Sequence, residues 1–300
     1  MTQIRPVIFG EVLFDCYPDG TEVLGGAPFN VAWHLQGFGL LPVFISRIGE
    51  DRRGGMVVQA MSKWGMDTTF LQHDPDRPTG TVKVRLNNGE PTYKISPDDA
   101  YDHIKDEISG LPADAPVLYH GSLALRSQQS LDTLKKIKQQ VNGDIFIDIN
   151  LRHPWWERDF ALSLMEDASW VKMNKEEIEI LFPLHKSIDQ KAKDIIEYFN
   201  LKILILTKGS KGSTVYLKEG DKLSLLPSPP IMVVDTVGAG DAFSAVFILG
   251  LIMGWPTQKI IHNAQEFASA IIGKRGAIVS DRRFYTTFLS RFVINKVGVK

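Results

Sequence analysis

The chain has 300 residues, 44% hydrophobic and 23% charged, with 34 basic against 35 acidic side chains and a net charge of −1. This is the balance of a soluble globular protein with room for one large α/β domain, and it offers no electrostatic reason to expect nucleic acid or an anionic membrane as a partner. Met1 leads straight into a strand pattern with no secretory apolar core, and the longest apolar run, Ala242 to Trp255, is shorter than the roughly 20 residues that span a bilayer, so a cytoplasmic location is expected.

Arg5 to Tyr17 reads as a first strand whose apolar run, Val7-Ile8-Phe9, breaks at Gly10-Glu11 and resumes at Val12-Leu13-Phe14. Asp15 follows, either as a turn former ahead of Pro18-Asp19-Gly20 or as a ligand for a hydroxyl group. Cys16 is the only cysteine, which rules out an internal disulfide, and the seven histidines lack metal-ligand spacing, so no zinc site is expected. Gly25-Gly26-Ala27-Pro28-Phe29-Asn30 leads into a helix from Val31 to Phe38. The two glycines let a ligand approach the backbone, and Asn30 offers both a donor and an acceptor, so with Asp15 they make a candidate hydroxyl-binding cluster. Val43 to Ser46 is a second strand, and Gly54 to Gly65 a helix with Met56, Val57, Ala60, Met61 and Trp64 along one face. From Thr79 to Ile95 the apolar period changes to two, with Asn88-Gly89 as a hairpin turn. A hairpin inside an α/β pattern predicts a small sheet projecting from the main one, placed to cover a ligand or to pair with a second subunit.

Strand and helix alternation then returns. Val117 to Tyr119 is a strand, and Ser127 to Val141 a helix whose Lys135, Lys136 and Lys138 form a solvated face. Ile145 to Arg152 is a strand whose far end carries Asp148, Asn150 and Arg152, all pointing one way. Ligands of an open parallel sheet sit beyond the carboxyl ends of its strands, which makes these three a candidate site. Trp155 and Trp156 are read as packing or a pocket wall. Ala168 to Met173 is a strand, and Asn174 with Glu177 has the spacing of a capping box for the helix that follows. A helix at Ile188 to Phe199, a strand at Ile203 to Leu206, a glycine-rich turn from Thr207 through Gly209 to Gly212, and strands from Ser213 and Lys222 complete this part.

The stretch Asp235-Thr236-Val237-Gly238-Ala239-Gly240-Asp241 carries the most chemistry. Ile231 to Val234 reads as a short buried strand, Gly238-Ala239-Gly240 as a small-residue turn, and the apolar run after it as a core helix. A helix opening on such a turn directs unpaired N–H groups and the positive end of its dipole at whatever sits in front, which makes an anion site. Asp241 could serve simply as a favourable partner of that dipole. Beside so bare a turn, its carboxylate shares space with a bound anion, which suits a general base better than a ligand. The expectation is that the turn holds charge developing on a transferred phosphoryl group while Asp241 takes the proton of the attacking hydroxyl. Pro256 starts another helix, and an amphipathic tail runs from Arg282. No repeat or linker divides the chain, so a single domain over residues 1–300 is expected.

Two motifs, Gly25-Gly26-Ala27-Pro28-Phe29-Asn30-Val31-Ala32 and Asp235 through Asp241, together resemble the N-terminal and C-terminal signatures of the PfkB (ribokinase-like) family of carbohydrate kinases. Asp148/Asn150/Arg152, Asn174 through Glu177, and Thr207/Gly209/Gly212 match family stations between them; Val246 departs, standing where the family usually has Gly or Ala. The resemblance implies a three-layer α/β/α sandwich with a mostly parallel central sheet and a small β lid, formed by about residues 12–24 and 79–96, through which a homodimer could form. It implies ATP as phosphoryl donor, with Asp241 as base and Gly238, Ala239 and Gly240 as anion hole. Asp15, Gly25, Gly26, Asn30 and Arg152 would bind the sugar. Asn174, Thr207, Gly209, Gly212 and Asn263 would serve the nucleotide, and Glu177 would act on Mg2+ through water. A potassium-type cation would be held by carbonyls around Asp235, Val237, Lys274, Gly276 and Ser280. Gly-Glu-Val-Leu-Phe-Asp at 10–15 and Asp148 through Trp156 look most like fructokinases. Relatives acting on 2-keto-3-deoxygluconate, ribose or a nucleoside, and a non-catalytic sugar- or nucleotide-binding regulator, are the alternatives. A dinucleotide-binding dehydrogenase is excluded, because no Gly-x-Gly-x-x-Gly follows the first strand.

Overall fold

Period-two alternation in the strands decides on which side of the main sheet each residue packs. In the first strand, β1 (Val7–Phe9), Ile8 joins one core cluster while Val7 and Phe9 join another. The computed structural model describes residues 4–87, 90–226 and 233–294. Beyond β1 its strands are β2 (Leu13–Cys16), β3 (Glu22–Gly25), β4 (Val43–Gly49), β5 (Leu71–Asp74), β6 (Gly80–Asn87), β7 (Glu90–Ile95), β8 (Val117–His120), β9 (Asp144–Asp148), β10 (Trp170–Asn174), β11 (Ile203–Thr207), β12 (Ser213–Leu217) and β13 (Lys222–Leu225). Nine of them form one sheet in the order β13-β12-β11-β10-β9-β8-β1-β4-β5. Pairing is parallel from β11 through to β5, and antiparallel only where β12 and β13 are added at one edge.

Helices cover both faces. On one side α1 (Ala27–Gly37), α2 (Arg52–Trp64), α7 (Ala239–Ile252), α8 (Thr257–Ile272) and α9 (Arg282–Ile294) pack on Ile8, Phe44, Tyr119, Phe146 and Ile205. On the other, α3 (Gln128–Lys138), α4 (Arg158–Ser163), α5 (Lys175–Leu181) and α6 (Ile188–Phe199) pack on Phe9, Ile45, Ile147, Val171 and Leu204. This is the expected three-layer α/β/α sandwich. Val246 is fully buried in the first of these layers, a packing position. Among the described residues no helix is long and apolar enough to cross a membrane.

A second, smaller sheet, in the order β3-β2-β6-β7, is the lid. Strands β6 and β7 pair antiparallel up to Asn87 opposite Glu90; the Asn88-Gly89 turn lies outside the described residues. Trp155 packs on the lid's small core with the Arg126 guanidinium 4.3 Å above its ring, and Trp156 packs on the α3–α6 side, so both are packing residues.

Three expectations need correction. The single strand over Arg5 to Tyr17 is two strands in different sheets: at Gly10, with φ of 145°, the chain leaves the main sheet for the lid. The strand over Ile145 to Arg152 ends at Asp148, because Asn150 adopts a left-handed φ of 41° that takes the backbone out of the ladder. The buried strand over Ile231 to Val234 is not found: Val233 and Val234 are 65% and 52% exposed and belong to no strand. Ile231 and Met232 lie outside the described residues. The apolar run misled because these residues cross the end of α8, where Val234 and Asp235 donate their N–H groups to the Ile272 carbonyl. The edge strand β5 and the short helix α4 were not anticipated.

Phe267 ties α8 to α1 and α9. Its ring is fully buried, with centroids 4.9 to 5.8 Å from those of Phe38, His34, Phe288, Phe284 and Tyr285. Phe267→Ala is expected to destabilise the protein by about 3–5 kcal/mol through lost transfer energy and a residual cavity, measured by urea unfolding.

Candidate active site

Where the lid meets the carboxyl edge of the main sheet there is a cavity of about 360 Å³. Three separated parts of the chain line it. From the N-terminal region come Glu11, Asp15, Gly25, Gly26 and Asn30, from the middle Asp148, Asn150, Arg152 and Lys172, and from the C-terminal region Asp235, Val237, Gly238, Gly240, Asp241 and Gly276.

The backbone at the head of α1 explains the glycine pair. Gly26 takes φ of 112° as N-cap, and a Cβ on it would stand 2.6 Å from the Glu11 carbonyl oxygen, so α1 can begin this close to β2 only with glycine. A Cβ on Gly25 would meet Asp15 Oδ2 and Asn30 Oδ1, each 3.9 Å away. The two polar side chains thus converge over the bare backbone.

Asn30 also reaches the far wall, where its Nδ2 donates to Asp241 Oδ2 at 2.8 Å. Asp241 sits in the first turn of α7, deep in the protein and open to the cavity. Burial pushes its carboxyl up to about 6, and the neighbouring Asp148 adds to the rise, while the Asn30 hydrogen bond, Lys172 and Arg152 act against it. Asp15 is likewise raised to about 6 by burial, opposed by Arg152 and reinforced by Asp235. Glu11, only 3% exposed, is raised to about 7, again chiefly by burial. A wall this rich in carboxyls, with shifted pKa values in a cleft, is the pattern of a functional site.

The turn before α7 is held from behind. Gly238 is left-handed at φ of 80°, and a Cβ there would lie 2.3 Å from the Ala277 Cβ. Asp235 accepts from the N–H groups of Val237 at 3.0 Å and Gly276 at 3.1 Å, clamping the turn to the loop after α8. From Ala242 to Gly250 the helix is buried on every side. At its head Gly238, Gly240 and Asp241 line the cavity, while the Ala239 N–H donates to the Thr236 carbonyl at 3.5 Å.

Asp148, Asn150 and Arg152 all reach the cavity, although the backbone is not one straight strand there. Behind them Lys172 Nζ donates to Asp148 Oδ2, the oxygen that also accepts from Ser244 Oγ at 3.1 Å. Sequence reasoning passed over Lys172, Ser244 and Glu11. The available signals were a lysine inside the apolar strand Trp170-Val171-Lys172-Met173, and a carboxylate in the break of the first strand.

The residues expected to serve the nucleotide do not line this cavity. Asn174 and Thr207 end the neighbouring strands β10 and β11 in register, and the turn through Gly209 and Gly212, with φ of 54° and 80°, follows. They stand on the same carboxyl edge of the sheet. Asn174 and Glu177 form the capping box of α5: Asn174 Oδ1 accepts from the Glu177 N–H at 2.8 Å and Glu177 Oε2 from the Asn174 N–H at 2.7 Å. The other Glu177 oxygen accepts from the Leu151 N–H at 2.8 Å, beside Arg152. Asn263 is fully buried on α8, with no partner for its amide among the described residues. Of the candidate monovalent-cation residues, Asp235, Val237 and Gly276 come together, whereas Lys274 and Ser280 are exposed and make no bond to Asp235.

Comparison with known proteins accords with this geometry. The family model described as pfkB family carbohydrate kinase matches residues 16–283. A fructokinase of Escherichia coli is 27% identical over 298 residues, covering 91% of this chain and 94% of the relative. The 5-dehydro-2-deoxygluconokinase of Geobacillus thermodenitrificans is 24% identical over 277 residues, covering 84% and 79%. The crystal structure of a fructokinase from Vibrio cholerae O395, in a form binding fructose, ADP and calcium ion, superposes with a TM-score of 0.83 at 25% identity, covering 96% of this chain and all of that one. With two motifs, a ribokinase-like fold and a family match over most of its length, the chain belongs to the PfkB family of carbohydrate kinases, phosphotransferases with an alcohol group as acceptor.

Proposed function

We propose that this protein is a fructokinase, transferring the γ-phosphoryl group of ATP to the primary hydroxyl of D-fructose, with Asp241 as general base. The observation that carries the reading is the Asp241 carboxylate at the head of α7, bonded to Asn30 across a cavity that also holds Asp15 and Arg152. In the transfer, the sugar oxygen bonds to phosphorus as the bond to the ADP oxygen breaks, and Asp241 accepts the hydroxyl proton. The N–H groups of the 238–240 turn, aligned with the α7 dipole, stabilise the negative charge that develops.

The charge of the cavity favours a neutral sugar. Burial raises the cost of ionising Glu11, Asp15 and Asp241, Asp241 adds to it at Glu11 and Asp235 at Asp15, and Arg152 opposes it at all three, joined at Asp241 by Lys172 and the Asn30 hydrogen bond. A substrate carboxylate such as that of 2-keto-3-deoxygluconate would enter this field unfavourably. The wall sets polar side chains among apolar ones such as Leu13, Val82 and Ile95, and among the described residues its aromatic side chains are Tyr17 and Tyr93; Asp15, Asn30, Asn150 and Arg152 offer hydrogen bonds that suit a polyol better than a nucleobase. ATP with Mg2+ supplies the phosphoryl group and neutralises its charge. Asn174, Thr207 and the Gly209–Gly212 turn, at the carboxyl ends of β10 and β11, would hold the nucleotide together with Asn263 on α8, and Glu177 would act on the magnesium ion through water.

An ADP-release assay across fructose, ribose, 2-keto-3-deoxygluconate, 5-dehydro-2-deoxygluconate and adenosine tests the substrate, with fructose expected to give the highest kcat/KM. Asp241→Asn should lower kcat by about 10²- to 10⁴-fold with sugar binding retained by calorimetry, and near-normal turnover would remove Asp241 from the base role. Because the base works deprotonated, kcat should fall as pH drops below about 6. Asn30→Ala removes a bond that lowers the Asp241 pKa, so the acid limb should move to higher pH; an unmoved limb would assign it to another group, such as Asp15.

A further inference from the structure

Lys172 is a charged side chain in a position where the fold does not need one. Its strand neighbours Trp170, Val171 and Met173 are buried and apolar, and Lys172 itself is only 5% exposed. Its partner Asp148 is 3% exposed. A buried ion pair of this kind is no better for stability than well-packed apolar residues of the same volume, so its retention calls for another explanation. The ammonium stands against the α7 turn: a Cβ on Gly240 would lie 3.3 Å from Lys172 Nζ. Ser244, one turn further along α7, donates to both Asp148 and the Gly240 carbonyl at 3.1 Å, fixing the pair relative to the turn. Lys172, Asp148 and Gly240 all line the cavity. The ammonium has three N–H donors, and among the described residues only the Asp148 carboxylate takes one.

We infer that Lys172 is a catalytic residue that contacts the transferring phosphoryl group, so that the anion site consists of the α7 turn together with one ammonium held in place by Asp148. The inference rests on the kinase reading above and adds a group to it. The competing role is purely structural, in which Lys172 does no more than neutralise Asp148.

A double-mutant cycle separates the two roles, using Lys172→Met, Asp148→Asn and the combined variant, which keeps the volume of the pair and removes both charges. If Lys172 touches the phosphoryl group, Lys172→Met should lower kcat by about 100-fold or more in both the native and the Asp148→Asn backgrounds, with the sugar KM changed by less than about threefold. If it only neutralises Asp148, the loss should vanish in the Asp148→Asn background, and that result overturns the proposal. Binding of ADP with aluminium fluoride, followed by calorimetry, reads the same contact without turnover. The unsubstituted protein should bind this mixture more tightly than ADP alone while Lys172→Met does not, and equal tightening in both overturns the proposal. Absence of turnover by the unsubstituted protein on every sugar overturns the kinase reading instead, a result distinct from normal turnover that Lys172→Met leaves unchanged.

Discussion

The site depends on the burial of one helix. From Ala242 to Gly250, α7 is enclosed by α1, α8 and the sheet, so it contributes a fixed dipole in a low-dielectric surround and cannot tilt towards solvent to satisfy its first N–H groups. Its polar outlet is the cavity, which Gly240 and Asp241 line. The rest of the local structure keeps that outlet open. Gly238 lets the turn lie against Ala277, Asp235 clamps it to the loop after α8, and Asn30 holds the carboxylate of Asp241 across the gap. An apolar helix of this kind would be a liability at a surface; ending it at a cavity leaves room for an anion in front of its N-terminus.

The same enclosure accounts for the electrostatics. Burial is the leading cause of the raised pKa at Glu11, Asp15 and Asp241, and the cationic residues Arg152 and Lys172 hold the rise in check. The proposed general base would need this middle range: a carboxylate in its ordinary range accepts a proton poorly near neutral pH, whereas one raised much further would be protonated before it could act. Asn30 and Lys172 act on Asp241 in the same direction, one through a direct bond and the other through charge at a distance.

Much of this was legible in the residues because local rules and the fold agree there. The alternation in β6 and β7, the glycines before α1 and α7, and the capping box at Asn174 each follow from local stereochemistry, and the hairpin, the two glycine-led helix starts and the reciprocal cap are all present. The failures arise where tertiary context overrides local pattern. Val7 to Phe9 and Val12 to Phe14 read as one strand interrupted at Gly10-Glu11, yet Gly10 sends the two halves into different sheets. Val233 and Val234 are apolar and exposed. Asp148, Asn150 and Arg152 converge through a left-handed Asn150 rather than by strand alternation. Lys172 could be noticed as an anomaly in its strand, but only the packing of β10 beside β9 and α7 shows that its charge lies at the turn. Asn174 and Thr207 end β10 and β11 at the carboxyl edge of the sheet, whereas Asn263 is buried on α8.

The threading of the cavity wall has a consequence for how the protein acquires its function during synthesis. The lid is closed by a parallel pairing of β2 with β6, residues 13–16 against 80–83, and the floor by residues 235–241 and 276–277. Both are long-range closures, and such contacts form late because the chain entropy of the intervening loop must be lost before they contribute. A nascent chain can therefore complete much of its N-terminal half, including the α1 glycine motif, and still have no cavity. Only when the loop after α8 has left the ribosome can Asp235 bond to Gly276 and set the turn. The binding site is thus a property of the finished chain alone, and a truncated product, however well folded in part, would have no floor on which to hold a sugar.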